Sequence, residues 1–412
     1  MAEMWTLGEG CTISTDSTLT QRNNNILVVG SSGSGKTMSY AEMCLLRARD
    51  TSRIVTLSKR RLVQRYAPYL AARGYRVYDL DLSDITASPI AYDPMCYTRT
   101  TRDITYLAQS IVMANPRKAG NKNADPFWDD AAVSLLSALI AYELHIKSRP
   151  SFADVCELFA RLRITEKGDA IETTLDDLFD RLAREEGTDF ACQCWKTFRF
   201  APMRTAGSIY SSLSVTMDTI FSPEYRTAMR EKPSVDLRAL GQERTVLFVT
   251  TSAVNPSVNA FAGLFYSHAV KELFEYAESR EDGVLPVPVH LLCDDFAVGA
   301  QIPSFAQYIS IFREKGISVS ILLQSESQLR AMYGDADAVT IINNCDRYVY
   351  LGSMDLVTCR SIAERMSLPL ADVLYLPLGQ EFLFERGTRP RVTERFHITE
   401  DEEWKKAAEG RG

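Results

Sequence analysis

The sequence predicts an α/β protein in which a mostly parallel sheet flanked by helices carries an inserted all-α domain. Three observations predict it. An apolar run, Ile26-Leu27-Val28-Val29, leads directly into Gly30-Ser31-Ser32-Gly33-Ser34-Gly35-Lys36-Thr37, a complete G-x-x-x-x-G-K-T phosphate loop. Short β-branched runs alternate with helical stretches near both ends of the chain, as parallel strand–helix–strand units require. Between residues 103 and 205 that alternation gives way to helical periodicity. The expected division is a nucleotide-binding domain over 1–102 and 206–412, with the all-α insert over 103–205.

Each element follows in order. Residues 1–25 mix Thr, Ser, Gly and Asn around Trp5, Leu7 and Ile13, predicting a short strand or two. The run 26–29 is too short for a helix and reads as a buried parallel strand. Residues 37–49, rich in Met, Ala, Leu and Arg, continue as a helix. A strand over 53–57, a basic helix from Lys59 ended by Gly74, and a strand over 75–80 come next. The insert is expected to hold helices at 104–113, 127–146, 152–162, 174–185 and 190–198, with a basic loop at 115–123. The sheet resumes with strands at 245–250, 287–293, 317–323, 348–351 and 382–384, and with helices at 259–278 and 305–315. The tail from Thr399 alternates in charge and is expected to fray.

Bulk properties narrow the function. With 412 residues, 46% of them hydrophobic, the chain can bury a large core. Its formal charge of -7 excludes a basic coat that binds nucleic acid over the whole surface, so any DNA contact must be local. Nine cysteines without a C-x-x-C pair predict reduced thiols of a cytoplasmic protein. The four histidines are scattered and suggest no His-based metal site. No apolar stretch is long enough to cross a bilayer.

The phosphate loop carries the chemistry. Its glycines allow a tight turn that points successive N–H groups inward, forming a nest for anionic oxygens at a helix N-terminus. Lys36 is placed to neutralise the β- and γ-phosphates of ATP, and the Thr37 hydroxyl to ligate Mg²⁺. The partner of such a loop is an apolar strand ending in acid, here Val289-His290-Leu291-Leu292-Cys293-Asp294-Asp295. Asp294 is expected to hold Mg²⁺ and Asp295 to orient or deprotonate the attacking water. Gln324 ends another apolar strand at the sheet's carboxyl edge, where it can reach the γ-phosphate or the water. Taken alone, Arg313 reads as a solvated charge beside Glu314 and Lys315.

With these residues in view, the chain resembles the TraG/TraD-type coupling proteins of type IV secretion and conjugation over nearly its whole length. The likeness rests on Asn24-Asn25 before the phosphate-loop strand, Asp125-Pro126-Phe127-Trp128 opening a helix, the run from Gly316 to Gln324-Ser325, Ser327-Gln328-Leu329, and Asn344-Cys345-Asp346. The resemblance implies a RecA-like domain with an inserted all-α domain that faces the substrate. It also implies a hexameric ring in which ATP hydrolysis moves single-stranded DNA, a relaxase–DNA complex or protein toward the channel proteins of the secretion system. Arg313 falls where such proteins carry an arginine finger for the neighbouring subunit's ATP, and Gln324 where they carry a sensor glutamine. Work at the inner face of the cell membrane is implied too. The family's membrane anchor does not precede the first strand here, so attachment is expected through partners or an anchor missing from this sequence.

Departures from the pattern set up a second reading. The family's usual Asp-Glu is Asp294-Asp295 here, and its Asp-Pro-Lys-Gly-Glu is Leu57-Ser58-Lys59-Arg60-Arg61. Asp295 reaches one carbon–carbon bond less far than Glu, roughly 1.5 Å, which predicts slow hydrolysis. The leading expectation is a translocating motor whose DNA contacts are drawn from Arg117, Lys118, Lys122 and the Lys59-Arg60-Arg61-Arg65 cluster. Taken alone, each group reads first as an ordinary solvated face. The competing expectation is a receptor that binds nucleotide, hardly turns it over and docks cargo. A ring translocase of the FtsK/HerA kind fits less well, given Phe127-Trp128 and Asn344-Cys345-Asp346.

Overall fold

The computed structural model describes residues 3–114, 126–167, 170–187, 189–252, 254–296 and 301–408. They fall into two units: Met1–Ser83, Asp236–Val254 and Ala269–Gly412 form the first, and Asp84–Val235 with Asn255–His268 the second.

The first unit holds the sheet. Its parallel strands are β3 (Ile26–Val29), β4 (Ser52–Leu57), β5 (Arg76–Asp81), β8 (Thr245–Thr250), β9 (Val289–Cys293), β10 (Ile317–Leu323) and β11 (Arg347–Tyr350). An antiparallel edge is added by β12 (Gln380–Glu385) and β13 (Arg391–Glu394). The order is β13-β12-β11-β3-β10-β9-β4-β8-β5. All four residues of β3 are fully buried, which explains an apolar run with no alternation. One sheet face, including Ile26, Val28, Val55, Leu57, Phe248, Leu292 and Leu322, shares a core with the helical stretch after the phosphate loop. A separate hairpin, β1 (Met4–Gly8) with β2 (Cys11–Ser14), is tied in by Glu3, which pairs with the buried Arg53 of β4.

Register places the functional ends together. Leu323 of β10 pairs with Val29 of β3, and Ile321 with Cys293 of β9. The chain therefore leaves β3, β9 and β10 side by side at one edge, the crevice where open α/β sheets bind ligands.

The second unit contains the expected helices at Thr101–Met113, Pro126–Ile146, Phe152–Arg161, Asp176–Glu186 and Phe190–Arg199, and two more at Met203–Ile220 and Pro223–Glu231. It also holds an antiparallel hairpin, β6 (Ile164–Lys167) and β7 (Ala170–Thr173), so the insert is not all-α. Its extent differs from 103–205 because flanking segments pack into its core. Tyr92 packs edge-on against Phe261 and Phe265, Phe152 lies 4.3 Å from Phe221, and Asp93 accepts the Phe152 N–H at 3.1 Å.

The tail is ordered further than expected. A helix at Glu402–Ala408 docks through Trp404, whose indole donates to the buried Glu42 at 2.8 Å, and Arg47 pairs with Glu403 at 2.7 Å.

Candidate nucleotide-binding site

The loop after β3 is built as the sequence requires. Gly30 N–H donates to Leu323 O at 3.0 Å and Ser31 N–H to Gly352 O at 2.9 Å, anchoring the loop to the strands on either side. Gly33 (φ 79°) and Gly35 (φ 94°) adopt left-handed backbone that a side chain disfavours. A Cβ at Gly30 would lie 2.5 Å from Ser34 Oγ and 2.8 Å from Leu351 Cβ. The helix that follows opens with a π turn over Thr37–Ala41, a widened turn that recurs at functional sites.

Lys36 folds back over the loop, its Nζ donating to Gly30 O at 2.5 Å and Ser31 O at 3.2 Å. Thr37 Oγ1 donates to the Asp294 carboxylate at 2.9 Å. Burial lowers the Lys36 pKa, and Asp295 and Asp294 oppose that shift. Burial, then the neighbouring Asp295 carboxylate, push Asp294 up to about 6, against the pull of Thr37 and Lys36. Two acids facing a single partly desolvated lysine leave an excess of negative charge that a divalent cation would relieve.

Asp295 stands beside Asp294 with φ 51°, in the left-handed region that Asp tolerates better than longer side chains. Its carboxylate lies 3.4 Å from the Ser58 hydroxyl, at the end of the neighbouring strand β4. Gln324 directly follows β10, between the phosphate loop and the acidic pair, and its backbone carbonyl accepts from Ser353 Oγ at 3.4 Å. Arg313 is not brought to this group. It lies in the last turn of the helix Phe305–Lys315, just before β10 begins, exposed and donating to Ser17 O at 3.3 Å.

A group foreseen by no sequence motif also reaches the loop. Arg395, just after β13, donates from Nη1 to Ser34 O, and its guanidinium lies against Gly35. Nothing in the sequence around it, Glu394-Arg395-Phe396, marks it as a loop contact.

The site fits a nucleotide with Mg²⁺. Among the described residues, Ser34 Oγ is buried and has no partner and a Cβ at Gly33 would meet nothing within 4 Å, while hydroxyl and carboxylate oxygens suit a hard cation. Thr37 and Asp294 are the residues that would hold it. The expected DNA-binding cluster is largely engaged elsewhere. Arg60 pairs with Asp79 and Asp81, while Arg61 and Arg65 pair with buried Glu42. Arg117, Lys118, Lys122 and Asp125 lie outside the described residues, as do the side chains of Phe127 and Trp128.

Comparison with known proteins adds the following. The family described as "Type IV secretory system Conjugative DNA transfer" matches residues 3–366. No curated protein matches the sequence. Among solved structures, the chain is similar to the bacterial conjugative coupling protein TrwBdeltaN70 in its unbound monoclinic form: TM-score 0.70, 17% identity, 95% of this chain and 88% of that one. Similarity extends to the plasmid coupling protein TrwB in complex with ADP and Mg²⁺: TM-score 0.60, 19% identity, 90% of this chain and 85% of that one. VirB4 of Thermoanaerobacter pseudethanolicus follows: TM-score 0.59, 14% identity, 92% of this chain and 91% of that one. The shared fold is the RecA-like one, a largely parallel sheet flanked by helices.

Proposed function

Because the chain belongs to the type IV secretory system conjugative DNA transfer family, we propose that it is a coupling ATPase that recruits DNA, nucleoprotein or protein and drives it to a secretion channel. The observation that carries this reading is the phosphate loop after β3 facing Asp294 through the Thr37 hydroxyl at 2.9 Å.

In this mechanism the loop's N–H groups receive the phosphates of ATP. Lys36 exchanges the carbonyls of Gly30 and Ser31 for phosphate oxygens, a swap favoured by its partly desolvated ammonium. Mg²⁺, when bound, supplies positive charge to the phosphates. Asp295 orients the water for in-line attack, with Gln324 beside it. Such charge placement contributes most when water is excluded, which a second subunit closing over the carboxyl edge accomplishes. Arg313, remote from its own loop, serves the ATP of the next copy in a hexameric ring. No helix among the described residues is long and apolar enough to cross a membrane. Placement at the inner face of the cell membrane, beside the channel proteins, is part of this reading.

A second reading, a nucleotide-binding receptor with little turnover, is favoured by Asp295: its left-handed backbone suits the short acid that stands where the family carries Glu. Steady-state ATP hydrolysis with and without single-stranded DNA separates the two. Turnover abolished by Lys36→Ala supports the motor. Binding without turnover in the wild type, converted to turnover by Asp295→Glu, supports the receptor. Absence of magnesium-dependent ATP binding in the folded protein defeats both.

A further inference from the structure

We infer that Arg395 is a positioning residue of the phosphate loop, through which the edge hairpin β12–β13 sets the loop's readiness for nucleotide. This rests on reading residues 30–37 as the nucleotide site.

The geometry begins with the backbone. Arg395 N–H donates to Gly379 O at 2.7 Å, just before β12 begins, so the residue is fixed to both arms of the hairpin. From there its Nη1 reaches Ser34 O, 361 residues away in the chain. A trans peptide holds its carbonyl and the next N–H on opposite sides. Pinning Ser34 O outward therefore fixes the direction of Gly35 N–H, one of the donors of the anion nest.

Gly35 is part of the same fit. A Cβ there would stand 2.6 Å from Arg395 Nη1 and 3.0 Å from Cζ. The glycine thus permits both the left-handed turn and the close approach of the guanidinium. A guanidinium offers five donors in a rigid fork, and among the described residues only the Ser34 contact is seen.

The buried acid that interacts with Arg395 does not cancel its charge. Glu381 of β12 is 1% exposed, and its Oε1 has no partner among the described residues. Burial, partly opposed by Arg395, pushes this carboxyl up to about 8, so near neutral pH it is mostly protonated. The guanidinium keeps its positive field beside the loop that receives phosphate.

The test is equilibrium binding of a fluorescent ATP analogue with Mg²⁺, paired with steady-state hydrolysis, for wild type, R395A and R395K. R395A is expected to weaken binding and raise KM about tenfold, as loss of a charge-assisted hydrogen bond does, with kcat within about twofold. R395K, which keeps one donor and the charge, is expected to fall between. Should R395A not fold, R395K and R395Q carry the same comparison. Unchanged or tighter binding in the variants, beside normal wild-type binding, overturns the positioning role alone. Failure of the wild type to bind removes the nucleotide site itself and this role with it.

Discussion

The Thr37 hydroxyl and the Asp294 carboxylate meet at 2.9 Å although 257 residues separate them in the chain. The contact joins the phosphate loop to the acidic strand end, at a cost visible in Asp294, whose burial pushes it up to about 6. Asp294→Asn is expected to keep the hydroxyl contact while losing the anion. Magnesium-dependent ATP affinity then falls by about 10–100-fold, the range seen when groups supporting a bound metal are lost, and hydrolysis is abolished. Folding stability stays level or rises by about 1 kcal/mol, because a buried charge is removed. Titration calorimetry with and without Mg²⁺, beside thermal melts, reads both effects, and retained magnesium dependence would refute the assignment.

Asp295 shows why a longer acid is not a free improvement. At φ 51° a Glu side chain meets the left-handed penalty that Asp partly escapes. Asp295→Glu is expected to destabilise the fold by about 1 kcal/mol while raising ATP turnover through its longer reach. Asp295→Asn keeps stability and lowers turnover by about 10²–10⁴. Melts and single-turnover hydrolysis on the same samples check the pairing, and a Glu variant that is neither less stable nor faster contradicts it.

How much of this was legible beforehand depends on whether the signal was local. The phosphate loop, the acidic strand end and Gln324 each announce themselves within about ten residues, and parallel register then brings them to one edge. Arg395 could not be found that way, since its partner Ser34 lies 361 residues off and nothing in Glu394-Arg395-Phe396 marks a ligand to a loop. The hairpin β6–β7 is nearly as silent, with Ile164 and Ile171 the only β-branched aliphatics amid polar neighbours. The insert's true extent hid for a related reason: Tyr92 and Asp93 look like loop residues until Phe261 and Phe152 fold onto them. The ordering of the tail rests on partners far away in the chain, Trp404 on the buried Glu42 and Glu403 on Arg47, Arg49 and Arg73.

Glu381 makes stability depend on pH. Its folded value of about 8 lies above its ordinary 4.5, so the folded state binds the proton more tightly than the unfolded state. Stability contributed by the protonated form is complete below pH 4.5, declines as pH rises through 4.5–8 and is lost above about 8. Glu381→Gln removes the penalty. The variant is expected to melt with the wild type below about pH 4.5 and increasingly above it as pH rises to 8, by at least about 2–4 °C at alkaline pH. Parallel scanning calorimetry across that window is the check, and a difference that does not grow with pH rules out Glu381 as its source.

The arginines that follow β4 are engaged in ion pairs within the fold. Arg65 Nη1 pairs with Glu42, a fully buried acid, at 2.7 Å, and its guanidinium covers the Trp404 ring at 4.8 Å. Arg65→Ala is expected to cost roughly 2–3 kcal/mol, less than about 3–5 for a buried pair left with no other donor, because Tyr66 and Trp404 still donate to Glu42. Affinity for single-stranded DNA should stay within about twofold, since one lost phosphate contact is the most this site could contribute. Denaturant melts and fluorescence anisotropy test the two halves, and a large loss of DNA affinity without loss of stability reverses the assignment.

Arg313 and Lys36 lie at opposite ends of the sheet. The seven residues of β10 separate Arg313 from its own carboxyl edge by about 20 Å at strand rise, farther than an arginine side chain extends. If Arg313 serves catalysis, it does so on another copy. Arg313→Ala alone should bind ATP normally and lose about 10³–10⁵ in turnover, the worth of an arginine finger. Lys36→Ala alone should lose both binding and turnover. Mixed in equal amounts, the two inactive proteins form boundaries at which an intact phosphate loop from one meets an intact Arg313 from the other. Hydrolysis should then reappear at a measurable fraction of wild type, rising with protein concentration as subunits associate. A mixture that assembles, as light scattering would establish, yet remains inactive leaves Arg313 as the solvated charge that its neighbours Glu314 and Lys315 first suggested.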